Sequence, residues 1–333
     1  AFMKIAIVKL SALGDIVHAM VVLQFIKKHN QDIKIDWVVE ESYKKLLEFH
    51  PDINKVHTVN LKRTKKKKSL FLLFKEIRRV SQFGPYDLVI DMQSLIKSAV
   101  ISRFIPSKLT IGFEKSSSRE GLASIFYNKT FKYGYEENII DRNMGLISLA
   151  LGLNVSKQEI EDKSPFLHSK RKHLNVNLSN IKKNILLIPG ASYKSKCYPA
   201  SNLAELTTLI DANFITIWGE QKEKKMADEI KAKGSRVIVC EKLSIDALKL
   251  LISQVDLVIG PDTGPTHMAW ALNIPSITIF GPTPGYRNTY ITRVNKIIES
   301  DSIVDPNKID KRDGSIKNIK VMDIVKISKK LLS

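Results

Sequence analysis

The chain has 333 residues, of which 44% are hydrophobic, and its Lys and Arg residues outnumber Asp and Glu by 19. This length exceeds what a single hydrophobic core ordinarily holds, so two domains are expected. Two cysteines are too few for a disulfide framework and stand in no metal-ligand spacing, which favours a reducing cytoplasm. The basic excess predicts an anionic partner, which could be a nucleic acid, an acidic membrane surface or a phosphorylated substrate.

The beginning of the chain carries no pattern of an export signal. Ala1 and Phe2 precede Met3, which we expect to be the first residue of the native protein, and Lys4 leads directly into an apolar strand. No later apolar run approaches the ~18 residues that a membrane-spanning helix needs. We therefore expect a cytoplasmic protein with no membrane span.

Strand-like and helix-like segments alternate along the first half of the chain. Strands are predicted at 4–9, 33–39, 55–60, 86–92 and 108–113, and helices at 15–29, 68–80 and 141–151. This alternation predicts a parallel sheet with helices on both faces.

A polar stretch without hydrophobic periodicity, residues 155–183, separates the first half from a second one. The alternation then resumes, with strands predicted at 184–190, 213–219, 235–240, 255–260 and 275–281. We predict an α/β protein with two doubly wound, Rossmann-like domains. Their predicted bounds are 3–160 and 184–318, with a linker at 161–183 and a C-terminal helix at 319–333 that could pack back on the first domain.

Several predicted strands of the second domain end in glycine, among them those that end at Gly190, Gly219 and Gly260. The carboxyl ends of parallel strands face the ligand crevice, where glycine lets the backbone approach a ligand closely. Neither G-x-G-x-x-G nor the phosphate-binding G-x-x-x-x-G-K-[ST] loop is present in the sequence. These absences count against an NAD-dependent oxidoreductase and against a P-loop enzyme.

The motif GPDTGPTHMAWAL, residues 260–272, directly follows the strand VDLVIG. Asp262 and Thr263 can cap the following helix, and Gly264 opens its first turn. Free N–H groups at such a helix start bind anions, so the motif predicts a phosphate site. His267 is either part of this site or a helix residue that is hydrogen-bonded inside the core.

Two further strand ends of the second domain carry charged residues. Lys196, in PGASYKSKCYP, could neutralise a diphosphate, and Tyr198 and Pro199 could fix its loop. Glu223, in WGEQKE, could accept hydrogen bonds from a ribose diol, although an acid in a first helical turn also stabilises the helix.

The first domain contains six basic residues among the seven positions 62–68. Such runs are usually solvated or disordered, but Lys62 and Arg63 directly follow a strand and could hold an anionic acceptor. Arg119, in SSSREGLASIFYNK, could grip a carboxylate or phosphate with two hydrogen bonds, or form a surface ion pair.

Asp15 follows the first strand, in KLSALGDIVHAM. As a cap or first-turn acid it would stabilise helix 15–29 by ~1 kcal/mol. As a general base it would accept the proton of an attacking hydroxyl. His18, one turn later, is expected in the core.

These motifs together resemble the lipopolysaccharide heptosyltransferases of glycosyltransferase family 9, with SALGD, REGLASIFYN and PDTGPTHMAWAL as the most specific parts. The resemblance implies a GT-B fold, in which two Rossmann-like domains face each other across a cleft. It implies an inverting transfer of L-glycero-D-manno-heptose from ADP-heptose to the Kdo of Kdo2-lipid A, without an obligatory metal or cofactor. Within the family, the alternative is transfer of the second heptose to an acceptor that already carries one.

The resemblance also assigns roles to the candidate residues. Asp15 matches the base, and the donor-binding positions are Lys196, Glu223, Asp262, Thr263, Gly264 and His267. Lys62, Arg63 and Arg119 correspond to a basic site for the acceptor. The run Lys65–Lys68 favours peripheral contact with the anionic inner face of the inner membrane. A nucleic-acid-binding protein is the alternative outside the class, but the sequence contains no zinc finger, RNP-like motif or helix-turn-helix.

Overall fold

The computed structural model describes residues 3–333; Ala1 and Phe2, on which the expected start at Met3 depends, lie outside the described residues. The chain divides into two compact units, with the boundary between Phe166 and Leu167. Each unit contains one six-stranded parallel sheet with helices around it. The predicted α/β class with two parallel-sheet domains is therefore confirmed.

The sheet of the first unit has the strand order β3-β2-β1-β4-β5-β6. Its strands are β1 (Lys4–Val8), β2 (Lys34–Glu40), β3 (Lys55–Val59), β4 (Tyr86–Asp91), β5 (Ser107–Phe113) and β6 (Lys129–Phe131). Its helices are α1 (Leu13–Met20), α2 (Val22–His29), α3 (Lys44–Leu47), α4 (Leu61–Lys67), α5 (Leu70–Val80), α6 (Ile96–Phe104), α7 (Ile139–Leu151) and α8 (Lys157–Glu161).

The sheet of the second unit has the order β12-β11-β10-β7-β8-β9. Its strands are β7 (Asn184–Leu187), β8 (Asn213–Thr216), β9 (Val237–Val239), β10 (Leu257–Pro261), β11 (Ser276–Phe280) and β12 (Asn295–Glu299). Its helices are α9 (Ala200–Leu209), α10 (Gln221–Lys233), α11 (Ile245–Gln254), α12 (Gly264–Ala271), α13 (Gly285–Asn288) and α14 (Val321–Leu332).

Both sheets reverse their strand order beside their first strand. In the first unit β1 lies between β2 and β4, and in the second unit β7 lies between β8 and β10. The loops after the two central strands leave in opposite directions at such a reversal, which opens a crevice at the carboxyl edge of the sheet. The loops after β1, β4, β7 and β10 are therefore the ones placed to hold ligands.

Every strand predicted from the sequence is present. These strands could be predicted because apolar runs buried on both faces give a strong signal. The edge strands β6 and β12 were not predicted, since most of their residues are only partly buried or exposed. Helix α8 was also missed. Its N-cap residue, Ser156, lies in the polar stretch, and the Oγ of Ser156 accepts the N–H of Glu159. Across residues 3–333, no helix has both the length and the apolar character needed to cross a membrane.

The C-terminal helix α14 packs within the second unit. Its residues Val321, Ile324 and Val325 join the same buried cluster as Ile185 and Leu203, and α14 lies against α9. From the sequence, this helix could have packed back on the first domain, whereas in the structure the core of the second unit buries its apolar face.

The segment that follows Phe166 is anchored to α11 by a buried lysine. The Nζ of Lys249 donates to the carbonyl of His168 at 2.8 Å, and the Oγ of Ser169 donates to the carbonyl of Asp246 at 3.1 Å. Residues 167–169, which fall in the predicted linker, are thus held by side-chain hydrogen bonds.

Replacing Ile324 by Ala tests the docking of α14. Ile324 is fully buried, so the variant should lose ~2–5 kcal/mol of unfolding free energy through lost burial and a residual cavity. Denaturant unfolding followed by the fluorescence of Trp218 and Trp270, the two tryptophans of the second unit, measures the loss. Met322→Ala, on the exposed face of α14, is the matched control and should change stability little; equal losses would contradict the docking.

Candidate functional site

Asp15 lies in the first turn of α1, on the loop that leaves β1 at the strand reversal. Its carboxylate is exposed, and Oδ2 accepts the backbone N–H of Ala12 at 3.2 Å. This contact satisfies a donor at the helix start, as a first-turn acid does. His18 is buried, in agreement with its expected place in the core.

The loop that carries Asp15 is tied to the loop after β4 by one side chain. The Oε1 of Gln93 accepts the N–H groups of Leu10 at 3.2 Å and of Ser11 at 3.3 Å. Gln93 is itself held by Asp91, whose Oδ1 accepts the backbone N–H of Gln93 at 2.9 Å. The position of the Asp15 loop therefore depends on a second strand end.

Asp91 is completely buried at the end of β4. Its Oδ2 accepts hydroxyl groups from Tyr127 at 2.7 Å and from Ser98 at 2.9 Å, while Oδ1 also accepts the N–H of Ser94 at 3.0 Å. Burial raises the pKa of Asp91, and these hydrogen bonds oppose the rise. Asp91 was not predicted as a functional residue, because the sequence pattern does not distinguish an acid at the end of a strand from the strand itself.

The segment REGLASIFYN supports this network rather than forming a regular helix. Residues Gly121–Phe126 are a 3-10 helix, and the Oε2 of Glu120 accepts the first N–H of α6, from Ile96, at 2.8 Å. The ring of Tyr127 lies against Gly112, where any Cβ would come within 2.3 Å of it. Glycine at that position lets the tyrosine reach Asp91.

The predicted acceptor residues of the first unit are exposed. Lys62 and Arg63 lie in the first turn of α4, and Arg119 lies just before the 3-10 helix. The Nζ of Lys62 donates to the Tyr43 hydroxyl at 3.1 Å and stands 4.3 Å from the centroid of the Tyr43 ring. The basic run that could have been disordered is therefore largely helical.

The second unit places a buried carboxylate, Asp262, directly after β10. Its Oδ1 is 2.7 Å from the Nε2 of His267, and its Oδ2 accepts the Thr283 hydroxyl at 2.8 Å and the Asn288 amide at 3.0 Å. The Nζ of Lys196 lies 3.4 Å from Oδ2.

These contacts set the charge of Asp262. Burial alone would raise its pKa, but the charges of Lys196 and His267, together with the hydrogen bonds from His267 and Thr283, hold the pKa well below its usual range. Asp262 is thus an anion that fixes Lys196 and His267. His267 is buried and hydrogen-bonded to Asp262, as expected of a helix residue inside the core, and its part in a phosphate site stays a prediction.

The start of α12 differs from the predicted cap. Thr263 is the N-cap residue by its backbone, but within residues 3–333 no side chain caps the helix, and the carboxylate of Asp262 points to other partners. Gly264 and Pro265 form the first turn. The first N–H groups of an α-helix have no partner within the helix, and such helix ends commonly bind anions.

Lys196 is oriented by the loop after β7. Its Nζ donates to the carbonyl of Asp262 at 3.2 Å and lies 5.1 Å from the ring centroid of Tyr193. Tyr198 is buried and donates its hydroxyl to the carbonyl of Ile319 at 2.6 Å. As the sequence indicated, Tyr198 anchors the loop.

Glu223 lies in the first turn of α10 and reaches back to the end of β8. Its Oε2 accepts the N–H groups of Gly219 at 2.6 Å and Glu220 at 3.0 Å. The carboxylate is packed over Gly190, where a Cβ would come within 2.3 Å of Oε1. Gly190 therefore leaves room for the Glu223 carboxylate, and Gly219 donates a hydrogen bond to it.

A cavity of about 740 Å³ adjoins these residues, with Gly190 and Glu223 on its wall. This volume is typical of pockets for small ligands. Five basic side chains also line it, namely Lys194, Lys222, Lys311, Arg312 and Lys317.

The structure thus brings together Lys196, Asp262, Thr263, Gly264 and His267 in one cluster, with Glu223 on the neighbouring strand end. Thr283 and Asn288 complete the cluster and were not predicted from the sequence. Gly281, directly after β11, was the signal that could have drawn attention to this loop. In the part of the chain that the structure describes, no three His, Cys, Asp or Glu residues are grouped to hold a metal ion.

The chain is similar to known glycosyltransferases in both sequence and fold. A family model described as glycosyltransferase family 9 (heptosyltransferase) matches residues 71–312. Lipopolysaccharide heptosyltransferase 1 of Campylobacter coli is 41% identical over 344 aligned positions that cover 99% of each protein. The protein of that name from Escherichia coli K12 is 28% identical, over 86% of this chain and 91% of its own length.

Among solved structures, the E. coli heptosyltransferase WaaC with ADP has a TM-score of 0.81 at 24% identity, and the match covers 99% of this chain and 100% of that one. The two parallel-sheet domains are of the GT-B type, the fold of a large class of glycosyltransferases. The chain belongs to glycosyltransferase family 9, the heptosyltransferases.

The depressed pKa of Asp262 predicts an acid-sensitive stability. An unfolded aspartate titrates near 3.8, so the stabilisation from Asp262 is fully present above that pH and is lost as the pH falls toward the lower folded-state pKa. Asp262→Asn should lower the unfolding free energy at pH 6, and its difference from the wild type should shrink below about pH 4.

Unfolding curves in denaturant between pH 6 and pH 2.5 measure this difference. Asp228→Asn, which removes an exposed carboxylate paired only with Lys224 at the surface, is the control. A constant difference between wild type and Asp262→Asn across this range would contradict the assigned charge state.

Proposed function

We propose that the protein transfers L-glycero-D-manno-heptose from ADP-heptose to the Kdo of Kdo2-lipid A, in the synthesis of the lipopolysaccharide inner core. The observation that carries the proposal is the charged cluster of Lys196, Asp262 and His267 at the open start of α12, in a chain that belongs to the heptosyltransferases. The 41% identity with a heptosyltransferase 1 over 99% of both proteins supports transfer of the first heptose over transfer of the second.

The second domain, at 184–318, is the proposed donor-binding domain. The diphosphate of ADP-heptose accepts hydrogen bonds from the first N–H groups of α12, at Thr263 and Gly264, and from Lys196. Glu223 accepts the ribose hydroxyls, and Asp262 and His267 face the diphosphate and the heptose. Lys196 and the helix end supply positive charge to the leaving group, so we expect no obligatory metal.

The chemistry is a displacement with inversion. A Kdo hydroxyl oxygen attacks the anomeric carbon of the heptose from the side opposite ADP, and the bond from that carbon to the phosphate oxygen breaks. Asp15 takes the hydroxyl proton as general base, and ADP leaves with the bonding electron pair. The exposed carboxylate of Asp15, on a loop fixed through Gln93, supports this role.

The first domain, at 3–160, is the proposed acceptor-binding domain. Kdo carries a carboxylate and lipid A carries phosphates, so both are anionic ligands for Lys62, Arg63 and Arg119. Because lipid A is anchored in a bilayer, we infer that the protein works in the cytoplasm at the inner face of the inner membrane. The basic excess of 19 charges supports attraction to that surface.

Asp15→Asn tests the proposed base. The amide oxygen of Asn can still accept the N–H of Ala12, so the helix start is preserved. The negative charge of the carboxylate, and with it the ability to take a proton, is lost. We expect ADP release in the presence of Kdo2-lipid A to fall ~10²-fold or more in kcat, with the KM for ADP-heptose nearly unchanged. Asp32→Asn, an exposed acid of the same domain, is the control.

The outcomes separate the alternatives. Unchanged turnover in Asp15→Asn would reduce Asp15 to a helix-stabilising residue. Release of ADP only with an acceptor that already bears a heptose would assign transfer of the second heptose instead. Wild-type protein that is inactive with both acceptors would contradict the proposed function.

The acceptor site is tested by Arg63→Ala and Arg119→Ala. Loss of one charge-assisted hydrogen bond, at ~1.4 kcal/mol, should raise the KM for Kdo2-lipid A about tenfold and leave the KM for ADP-heptose unchanged. Arg103→Ala removes an exposed arginine of α6 and serves as control. Equal effects of all three variants would argue against a specific acceptor site.

A further inference from the structure

Helix α5 exposes three large apolar side chains near its beginning. Leu70, Phe71 and Phe74 are 82%, 77% and 76% exposed. Single exposed apolar residues are common on protein surfaces, but a contiguous group of this size marks a contact with a partner or a membrane.

The exposure is a property of one face of α5. The opposite face packs inward, since Val80 is fully buried and Leu73 lies against the same core cluster, which includes Val59 and Leu61. Glu76, also on the inward side, accepts the backbone N–H of Asn60 at 3.0 Å. These contacts fix the orientation of α5 and leave its outer apolar face exposed.

Basic residues flank the apolar group at both ends. Before it, α4 ends in Lys65, Lys66 and Lys67, and Lys68 forms the turn into α5. After it, Lys75 follows Phe71 by one helical turn and Arg78 follows Phe74 by one turn. Both basic residues are exposed and continue the outer face. A helix with apolar side chains among basic ones is typical of segments that lie in the interface of an anionic bilayer.

The positive charge around the apolar group indicates which kind of partner binds this face. A second copy of the chain that paired through this face would bring two sets of lysines together, and like charges disfavour such a contact. An anionic lipid headgroup layer complements the lysines and gives the apolar side chains an acyl region to enter.

We propose that the α4–α5 segment is a membrane anchor, in which Leu70, Phe71 and Phe74 enter the acyl region of an anionic bilayer while the surrounding lysines bind lipid phosphates. Lys62 and Arg63 begin the same α4, so anchoring brings the proposed acceptor residues to the lipid surface. The anchor deepens the membrane contact of the proposed function, and the choice of a lipid-linked acceptor rests on that function.

Vesicle binding tests the anchor without donor or acceptor substrates. The full chain is sedimented with vesicles of phosphatidylethanolamine containing phosphatidylglycerol, and with vesicles of phosphatidylcholine alone. The wild type should bind the anionic vesicles preferentially. Combining Leu70→Ser, Phe71→Ser and Phe74→Ser should weaken binding about tenfold or more, whereas Ile181→Ser, another highly exposed apolar position, should change nothing.

Two further variants separate insertion from surface attraction. Combining Lys65→Gln, Lys66→Gln and Lys67→Gln should weaken binding and reduce its salt dependence. In Phe74→Trp, the added tryptophan should shift its emission to shorter wavelength on anionic vesicles, which reports entry into the acyl region even if the triple serine variant folds poorly.

Several results would overturn the anchor. These are wild-type protein that ignores anionic vesicles, a folded triple serine variant that binds as tightly as wild type, or an unshifted Phe74→Trp emission on bound protein. A wild-type dimer that the serine variant converts to monomer, with equal vesicle binding by both, would assign the face to a second copy. Because no sugar substrate is present, failure of heptose transfer and failure of anchoring are read separately.

Discussion

The reversal of strand order beside β1 and β7 is the constraint on which the functional organisation depends. Connections between parallel strands must cross over the sheet, so two adjacent loops diverge only where the winding direction changes. In the first unit this point brings together the Asp15 loop and the Asp91 turn, linked by Gln93. In the second unit it brings Lys196 to Asp262 across 66 residues of sequence. Charged groups meet at these points because the diverging loops leave space there.

Both points are built around a buried aspartate, but the two carboxylates have opposite environments. Asp91 is surrounded by hydroxyl and amide donors, and burial raises its pKa. Asp262 lies beside Lys196 and His267, and its pKa is depressed. A charge that is paired and hydrogen-bonded can remain buried, whereas neutral donors alone compensate desolvation only in part. The first network therefore holds backbone loops, and the second holds the side chains of Lys196 and His267.

Local sequence patterns predicted the parts of this arrangement that are encoded within one element. The apolar runs predicted the central strands, and GPDTGPTHMAWAL predicted that a helix begins directly after β10. The partners of Asp262 were not predictable in the same way, because Thr283 and Asn288 are 21 and 26 residues further along the chain. The same holds for Tyr127, which reaches Asp91 across 36 residues, and for Lys249, which lies 81 residues from the carbonyl it binds. Such contacts depend on tertiary packing, which no local periodicity contains. The C-terminal helix was predicted, but its packing partner was not, because an apolar stripe predicts burial without indicating which core buries it.

The contact between Glu223 and Gly190 has an evolutionary consequence. A single methyl group at residue 190 would collide with the carboxylate that also accepts the N–H of Gly219, so the smallest change on one strand end displaces a functional group on the next. The two positions are therefore coupled: a Cβ at residue 190 requires the Glu223 side chain to move, so a substitution at either position changes which residues the other one tolerates.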